Sequence, residues 1–298
     1  MPRVSVCLAV FNGAASLRAA LDSVRSQTYT DYELVVLDDG STDGSGEIAT
    51  EFGARLISQK NEGLGAGRKR MVEEAKGDLI AFIDHDDEWL PDKLRLQIPL
   101  HDDPSVVLSH TAGHYEHEDG RKWDRKENIP AGTPALDHVL PLKVIASSVV
   151  FSRQKMLEAG NFVADVKICS DWYGWLILSR MGSFRYLSEP TVKYRIRAGA
   201  NSEPGLKFFE AERYVIEERF LPDFGAFTPD ITDAARAHYR SILRKSLGRT
   251  KRTIAHFARL SGDRNLAMRM HREAIACDPL NVPFWLSWVK NGLVWRPG

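Results

Sequence analysis

Short apolar runs alternate with helical patterns over roughly the first 110 residues, which is typical of parallel βαβ units. Val4 to Phe11 predicts a strand, and Ala15 to Gln27 predicts a helix with Leu17, Leu21 and Val24 on one face. Further strands are predicted at Glu33 to Leu37, Arg55 to Ser58 and Leu79 to Ile83, and further helices after Ser41, from Gly63 to Ala75 and after Pro91. Because the strand Leu79 to Ile83 is apolar throughout, we expect it to be buried on both faces.

The pattern becomes less regular after Pro104. The elements predicted there are strands at Val106 to His110 and Ile145 to Phe151, a hairpin from Tyr115 to Trp123, a helix from Asp171 to Met181, and short strands at Phe184 to Leu187 and Val192 to Tyr194. From Gly205 onward the sequence is mostly helical. The sequence therefore predicts an α/β fold with a Rossmann-like, mostly parallel sheet flanked by helices in residues 1–104 and 105–204, and a helical C-terminal extension in residues 205–298.

Charge and cysteine content narrow the class of protein. Lys+Arg and Asp+Glu both number 40, so no overall field attracts a polyanion, and we expect no nucleic-acid partner. Cys7, Cys169 and Cys277 are far apart and form no C-x-x-C pair, which favours reduced cysteines. No window reaches the roughly 20 apolar residues of a membrane span, and the N-terminal apolar run ends without a cleavage site. We therefore expect a cytoplasmic protein that is not integral to a membrane.

Acidic side chains follow two of the predicted strands. Asp38 and Asp39 end the second strand, and Asp84-His85-Asp86-Asp87 follows the fourth. Because ligands of open parallel sheets bind beyond the carboxyl ends of the strands, we expect these groups to share one site. Three carboxylates packed so closely repel one another unless a cation neutralises them, and oxygen ligands suit Mn²⁺ or Mg²⁺. The sequence therefore predicts Mn²⁺ or Mg²⁺ at the end of the fourth strand.

Together with residues 4–45, 61–94 and 170–202, this acidic motif resembles family 2 of the inverting nucleotide-sugar glycosyltransferases, which have the A-type glycosyltransferase fold. The resemblance implies transfer of a sugar from a nucleoside-diphosphate sugar, with a UDP-sugar favoured, to an acceptor hydroxyl with inversion at the anomeric carbon. It also implies that residues 1–104 bind the donor and that residues 105–204 bind the acceptor. The acceptor would be a carbohydrate, a lipid-linked molecule or a protein, which points to polysaccharide or glycoconjugate synthesis.

The resemblance also implies roles for single residues on the donor side. Asp39 would accept a hydrogen bond from the base, Asp86 would bind the metal, and Asp84 would lie near the ribose. Arg68 and Arg197 would face the diphosphate, with Arg197 standing where the family often has a histidine. The residues assigned to the donor are Ala9, Val10, Phe11, Asn12, Asp39, Asn61, Arg68, Asp84, His85 and Arg197.

On the acceptor side, Asp171 matches the general base of the family, which takes the proton of the attacking hydroxyl. Ser170 stands where the family usually has a glutamate. We expect Trp172, beside the base, to stack on the acceptor, and Ser147 to lie in an acceptor loop. For both residues, a buried structural position is the alternative interpretation.

Two other functions remain open from the sequence. The Ser170 and Arg197 departures would fit a catalytically impaired scaffold subunit that binds nucleotide without transferring sugar. A metal-dependent phosphatase also uses Asp-x-Asp after a strand, but after an early strand rather than the fourth.

The C-terminal extension carries a run of basic residues, Arg240, Arg244, Lys245, Arg249, Lys251 and Arg252. We interpret this run as a solvated helix face. The alternative is peripheral contact with the inner face of a membrane, aided by Trp285, Trp288 and Trp295.

Overall fold

The structure is a computed structural model that describes residues 1–140, 144–197, 205–222, 232–281 and 283. The chain forms two compact units, Met1–Ala200 and Asn201–Gly298. The strands are β1 Val4–Val10, β2 Tyr32–Asp38, β3 Arg55–Ser58, β4 Leu79–Phe82, β5 Glu88–Trp89, β6 Val106–His117, β7 Lys122–Arg125, β8 Val150–Ser152 and β9 Ser183–Ile196. The helices of the first unit are α1 Ala14–Arg25, α2 Ser45–Glu51, α3 Leu64–Glu74, α4 Lys93–Gln97, α5 Ala135–Val139, α6 Arg153–Glu158 and α7 Ser170–Leu178, with 3₁₀ turns at Ile98–Asp102 and Ala146–Ser148.

The strands form one sheet in the order β3-β2-β1-β4-β8-β6-β9-β5, and β7 pairs with β6. The first four strands are parallel, as the sequence predicts. Beyond β4 the sheet is mixed, because β8 is antiparallel to both β4 and β6, whereas β6 and β9 are parallel. One strand, β1, separates β2 from β4, so the two acidic strand ends lie at the same edge of the sheet.

Helices cover both faces of the parallel part of the sheet. Alternate residues of β1, from Val4 to Val10, pack with Leu17 and Leu21 of α1 on one face. On the other face, the aromatic rings of Phe82, Phe151, Phe162 and Trp175 contact one another with centroids 5.2–6.4 Å apart. This aromatic cluster fixes α7 behind β4, and α7 carries the predicted base.

The second half of the sheet differs from the prediction in three ways. The strand at Val106 to His110 and the first arm of the hairpin are one strand, β6, and the two short strands near Pro190 are likewise one strand, β9. The prediction of a strand from Ile145 to Phe151 is wrong, because a 3₁₀ turn precedes β8. The Ser148 amide and hydroxyl both donate to the Ile145 carbonyl, which closes this turn. The hairpin itself is confirmed, since β6 and β7 pair on either side of Gly120.

The described part of the second unit is helical, as predicted. It comprises α8 Leu206–Tyr214, a π-helical turn at Val215–Phe220, α9 Asp233–Leu260 and α10 Arg264–Cys277. Helix α10 folds back on α9, and Ile254, Ala255 and Met270 form their apolar contact. None of the helices in the described ranges combines the length and apolar character that crossing a bilayer requires.

One member of the basic run does not belong to a solvated face. Lys251 is buried, and its Nζ donates to Glu217 at 2.7 Å and lies 2.8 Å from a carboxylate oxygen of Glu273. The remaining five basic residues of the run are exposed on α9. Trp285, Trp288 and Trp295 lie outside the described residues.

Candidate active site

The acidic motif forms a tight turn directly after β4. The Asp87 amide donates to the Asp84 carbonyl at 3.1 Å, so the motif doubles back on itself. Ser147 secures the turn from the neighbouring 3₁₀ segment: its hydroxyl accepts from the Asp84 amide at 3.0 Å and donates to the Asp87 carboxylate. The Ser147 carbonyl in turn accepts from the Trp89 indole at 2.8 Å. Ser147 is fully buried, so it holds the acidic turn in place, and we do not assign it the predicted acceptor contact.

Asp87 points into the protein and is 1% exposed. Its second carboxylate oxygen accepts from the Arg195 amide of β9 at 3.0 Å. Burial raises the pKa of Asp87 well above its usual range, and the charges of Asp84 and Asp86 add to the rise. Asp87 therefore anchors the turn, while Asp84 and Asp86 remain partly open to solvent.

Arg68 connects the acidic motif to the predicted base. Its guanidinium lies 3.6 Å from an Asp84 carboxylate oxygen and 3.5 Å from one of Asp171, and it donates to the Ser170 hydroxyl at 2.7 Å. The Arg68 side chain is 6% exposed, so it contacts protein groups rather than the open pocket predicted for the diphosphate. Ser170, in the place of the usual glutamate, supplies the acceptor for this arginine.

Burial raises the pKa of Asp84, while the Arg68 guanidinium lowers it and the neighbouring Asp86 and Asp171 raise it further. One electrostatic cluster is therefore formed by Asp84 and Asp86 after β4, Arg68 of α3 and Asp171 of α7. The structure thus brings the acidic motif after β4 next to the start of α7, although the two lie far apart in the sequence.

Asp86, the fourth member of this cluster, has a cationic partner of its own. Its carboxylate pairs with Arg197, just after β9, at 2.9 Å. The position therefore already attracts a cation, and the available ligands are carboxylate oxygens, which suit Mn²⁺ or Mg²⁺. No group of three or more His, Cys, Asp or Glu residues forms a closed cage within the described residues. Such a site fits a cation that is bound through one or two carboxylates and completes its shell with water and substrate phosphate.

The ends of β1 and β2 form the other side of the candidate pocket. Phe11 is 47% exposed there, and Asn12 has a left-handed backbone with φ +50°, which asparagine tolerates. The Asn12 side-chain oxygen accepts from the Thr42 amide at 2.9 Å, and the Ser41 hydroxyl accepts from the Asn12 amide at 3.0 Å. These contacts tie the two strand ends together. No site role was predicted for Ser41 or Thr42, although the run Asp39-Gly40-Ser41-Thr42 is rich in turn residues.

Asp39 is buried at the end of β2 and holds the loop that precedes α3. Its carboxylate accepts hydrogen bonds from the Gln59 side chain at 2.8 Å, the Glu62 amide at 3.0 Å and the Gly63 amide at 2.9 Å. Since a carboxylate offers about four acceptor positions, roughly one remains for a nucleobase. Asn61 is exposed in the same loop.

Three other predicted residues have surroundings that the sequence did not indicate. The Val10 side chain is buried in the core, and only its neighbour Ala9 is partly exposed. The His85 ring turns to α1, where Nδ1 lies 3.0 Å from the Ser16 hydroxyl. Trp172 is 1% exposed, and its indole donates to the Val139 carbonyl at 2.8 Å. The predicted stacking of Trp172 on an acceptor does not agree with this buried position, and helical spacing explains it because that position of α7 faces the core.

Comparison with known proteins identifies the family of this chain. The sequence model described as Glycosyl transferase family 2 matches residues 5–157, just over half of the 298 residues. An uncharacterized glycosyltransferase of Rickettsia conorii is 25% identical over 264 residues, which are 86% of this chain and 44% of that protein. The putative teichuronic acid biosynthesis glycosyltransferase TuaG of Bacillus subtilis is 26% identical over 203 residues, which are 65% of this chain and 79% of that protein.

Solved structures share the fold at low sequence identity. The crystal structure of S. aureus TarS in complex with UDP-GlcNAc has a TM-score of 0.60 at 14% identity, over 98% of this chain and 92% of that chain. The mannosyltransferase PcManGT of Pyrobaculum calidifontis, in complex with GDP-Man and Mn²⁺, has a TM-score of 0.57 at 16% identity, over 98% of this chain and 87% of that chain. The chain spans less than half the length of the Rickettsia relative. The shared fold is the A-type glycosyltransferase fold, and the matched family model shows that the chain belongs to glycosyl transferase family 2.

Proposed function

We propose that this chain is an inverting glycosyltransferase that moves a sugar from a nucleoside-diphosphate sugar to an acceptor hydroxyl, with Asp171 as the general base. The observation that carries the proposal is the Arg68 bridge, because it brings the Asp-x-Asp turn and Asp171 into one cluster. A transferase needs this proximity, since the hydroxyl attacks the same anomeric carbon from which the diphosphate leaves.

Each charged group has a distinct task in this proposal. Asp171 is 24% exposed at the start of α7, so its carboxylate is open to take the acceptor proton. Arg68 fixes the direction of that carboxylate through its contacts with Asp171 and Ser170. Arg197, which pairs with Asp86, is the cation that we assign to the negative charge developing on the leaving diphosphate.

A divalent cation, Mn²⁺ or Mg²⁺, would be held by Asp86 with Asp84 nearby, and it would neutralise the diphosphate as the glycosidic bond breaks. The PcManGT structure contains Mn²⁺ with its nucleotide sugar, which supports a metal-dependent donor site in this fold. The TarS complex with UDP-GlcNAc supports a UDP-sugar as the donor. The likeness to TuaG favours polysaccharide synthesis with a carbohydrate, lipid-linked or protein acceptor.

Donor turnover tests the proposal. The assay incubates the chain with UDP-sugars and Mn²⁺ and measures release of UDP. We expect Asp171→Asn to lower the release of UDP by about 10²–10⁴-fold, which is the usual contribution of a general base, while binding of UDP with Mn²⁺ persists. Asp86→Ala should abolish metal-dependent turnover with the fold intact.

The matched control is Asp78→Asn, at the opposite end of β4, where the side chain is exposed. This variant should retain full activity. Full activity of Asp86→Ala would remove the metal site from the proposal. Binding of UDP and Mn²⁺ by the wild-type chain without any turnover would favour the scaffold alternative.

We further propose a cytoplasmic location with peripheral contact to anionic lipid through α9. The exposed positions of Arg244, Lys245 and Arg249 support this, because adjacent basic side chains on one helix attract anionic headgroups. Salt-sensitive flotation with phosphatidylserine vesicles, weakened in the Arg244→Glu, Lys245→Glu variant, is the expected result. Equal flotation of the two proteins would contradict this contact.

A further inference from the structure

Lys93 of α4 is a fully buried lysine that is not part of the electrostatic cluster at the candidate active site. Its side chain is 0% exposed. Burial lowers the pKa of Lys93 well below its usual range, and no carboxylate among the described residues offsets that effect. An apolar side chain of similar length would fill the same space without this cost of desolvation, so the amine has to be explained by what it contacts.

The Lys93 amine binds the 3₁₀ turn Ala146–Ser148. Nζ donates to the Ser148 carbonyl at 3.0 Å and to the side-chain oxygen of Gln97, one turn further along α4. The Gln97 side-chain nitrogen donates to the same Ser148 carbonyl at 3.1 Å and to the Ser109 hydroxyl of β6 at 3.1 Å. The Ser148 carbonyl is therefore the shared acceptor of two buried side chains.

These hydrogen bonds replace those of a β-ladder. Strand β8 pairs with β4 so that Val150 lies opposite Ala81, and the same register continued backwards would place Ser148 opposite Ile83. The chain instead turns before Val150, and the Ser148 carbonyl takes its partners from α4. Ser148 is fully buried, and a buried carbonyl needs a partner. The two side chains of α4 therefore make the turn possible at this point.

The turn presents the Ser147 hydroxyl to the acidic motif. Ser147 directly precedes Ser148, and its hydroxyl accepts from the Asp84 amide at 3.0 Å and donates to the Asp87 carboxylate. A short path of two hydrogen bonds and one peptide link therefore runs from Lys93 to Asp84.

The acidic motif depends on contacts from outside itself to keep its shape. Ser147 bonds both ends of the turn, and the Arg195 amide bonds the Asp87 carboxylate at 3.0 Å. Asp84 and Asp86, the carboxylates that we propose to hold the cation, are partly open to solvent and would change direction if the turn relaxed. Loss of a group that orients metal ligands typically costs about 10–100-fold in metal affinity.

We propose that Lys93, together with Gln97, is a positioning residue for the donor site: it holds the 3₁₀ turn so that Ser147 fixes the acidic motif in the orientation that binds a divalent cation and a diphosphate. The cation-binding part of this inference rests on the proposed glycosyltransferase function. Lys93 acts through Ser147 and contacts neither the donor nor the cation.

Hydrogen–deuterium exchange of the metal-free full chain tests the path from Lys93 to the acidic turn. Lys93→Met removes the amine but keeps the length of the side chain, and we expect residues 83–89 to exchange about fivefold faster, because the Asp84 amide loses protection. Gln97→Met removes the other donor to the Ser148 carbonyl and should have the same effect, which provides a second variant if Lys93→Met does not fold.

The matched control is Lys155→Met, just beyond the other end of β8. Lys155 lies partly exposed on α6 and pairs with Glu158 at 2.8 Å. We expect this variant to exchange as the wild type does at residues 83–89, because its amine has no path to the acidic turn.

Calorimetric titration with UDP and Mn²⁺ tests the consequence for the donor site. Lys93→Met should weaken binding of UDP with Mn²⁺ by about tenfold, which equals about 1.4 kcal/mol and is the lower end of the effect of an orienting group. Ser147→Ala should weaken it as well. Because Lys93 acts through Ser147, adding Lys93→Met to Ser147→Ala should weaken binding no further, whereas an independent structural role would give the same factor in both backgrounds.

Unchanged exchange of residues 83–89 in both α4 variants would overturn the inference. Faster exchange with unchanged affinity for UDP and Mn²⁺ would overturn it too, and so would additive effects of Lys93→Met and Ser147→Ala. A wild-type chain that binds no UDP with Mn²⁺, although Lys93→Met speeds exchange as expected, would contradict the proposed donor site and leave Lys93 as the group that holds the turn.

Discussion

Replacing Arg68 with methionine should destabilise the first unit of the chain and separate the two halves of the candidate site. Methionine has a similar length but leaves Asp84 and Asp171 without their shared cation and Ser170 without its donor. Removing one partner of a buried ion pair costs about 3–5 kcal/mol. Because the Asp84 and Asp171 side chains remain 36% and 24% exposed, water offsets part of the loss, and we expect about 2–3 kcal/mol.

Urea unfolding followed by tryptophan fluorescence measures this loss, since Trp172 and Trp175 are buried on the same helix as Asp171. In thermal unfolding, the same loss of stability corresponds to a fall in melting temperature of roughly 4–12 °C for a unit of this size. Arg70→Met is the control on the same helix, because within the described part of the chain the Arg70 side chain bonds to the Ser58 carbonyl and the Gln59 side chain near the surface.

Combining Arg68→Met with Asp84→Asn should recover about 1 kcal/mol or more, since the second change removes a carboxylate that the first left unpaired. An Arg68→Met variant within about 0.5 kcal/mol of wild type would refute the reasoning, because surface substitutions have effects of that size. Strict additivity of the two changes would refute it as well.

Two further perturbations test the packing and the titration of the first unit. Gly65→Ala should cost about 1–3 kcal/mol in urea unfolding, because a Cβ there would lie 2.5 Å from the Val163 carbonyl oxygen and closer still to that of Val166. Gly67→Ala, whose Cβ would contact a leucine side chain, should stay within about 1 kcal/mol of wild type. Equal costs of the two changes would contradict the close backbone approach at Gly65. Burial lowers the pKa of His101 to about 4, so between pH 6.5 and 4 the unfolded chain binds a proton that the folded chain does not. The free energy of unfolding should therefore fall by up to about 3 kcal/mol as the pH drops through this window. If His101→Gln shows the same pH slope of the urea midpoint as wild type, His101 is not the source of the loss.

The sequence predicted the parallel half of the fold well, because local pattern and tertiary position agree there. Alternating apolar residues from Val4 to Val10 pack against α1 as periodicity requires, and the acids after β4 lie at the sheet edge where ligands bind. The family resemblance identified Asp84, Asp86 and Asp171, and the structure brings the first and last of these onto one arginine.

The errors arose where a distant residue decides the local structure. The run Ile145 to Phe151 has a strand-like composition, but the hydroxyl of Ser147 is taken by Asp87, 60 residues away, and the chain turns instead. The exposure of Arg68 likewise depends on where α7 packs, which no pattern within α3 encodes.

The hydrogen bonds of Ser147 to the acidic turn have a consequence for engineering. The acidic turn, which we propose to bind the donor, is held by the Ser147 hydroxyl and the Arg195 amide, both from residues 105–204. A fragment cut after residue 104 would therefore lose both hydrogen-bonding groups and leave β4 without its antiparallel neighbour β8. Chimeras that exchange the segment after residue 104 between relatives should retain metal-dependent donor binding only when the incoming segment brings an equivalent serine and strand. Chimeras without them should lose donor binding and would not gain a new acceptor specificity.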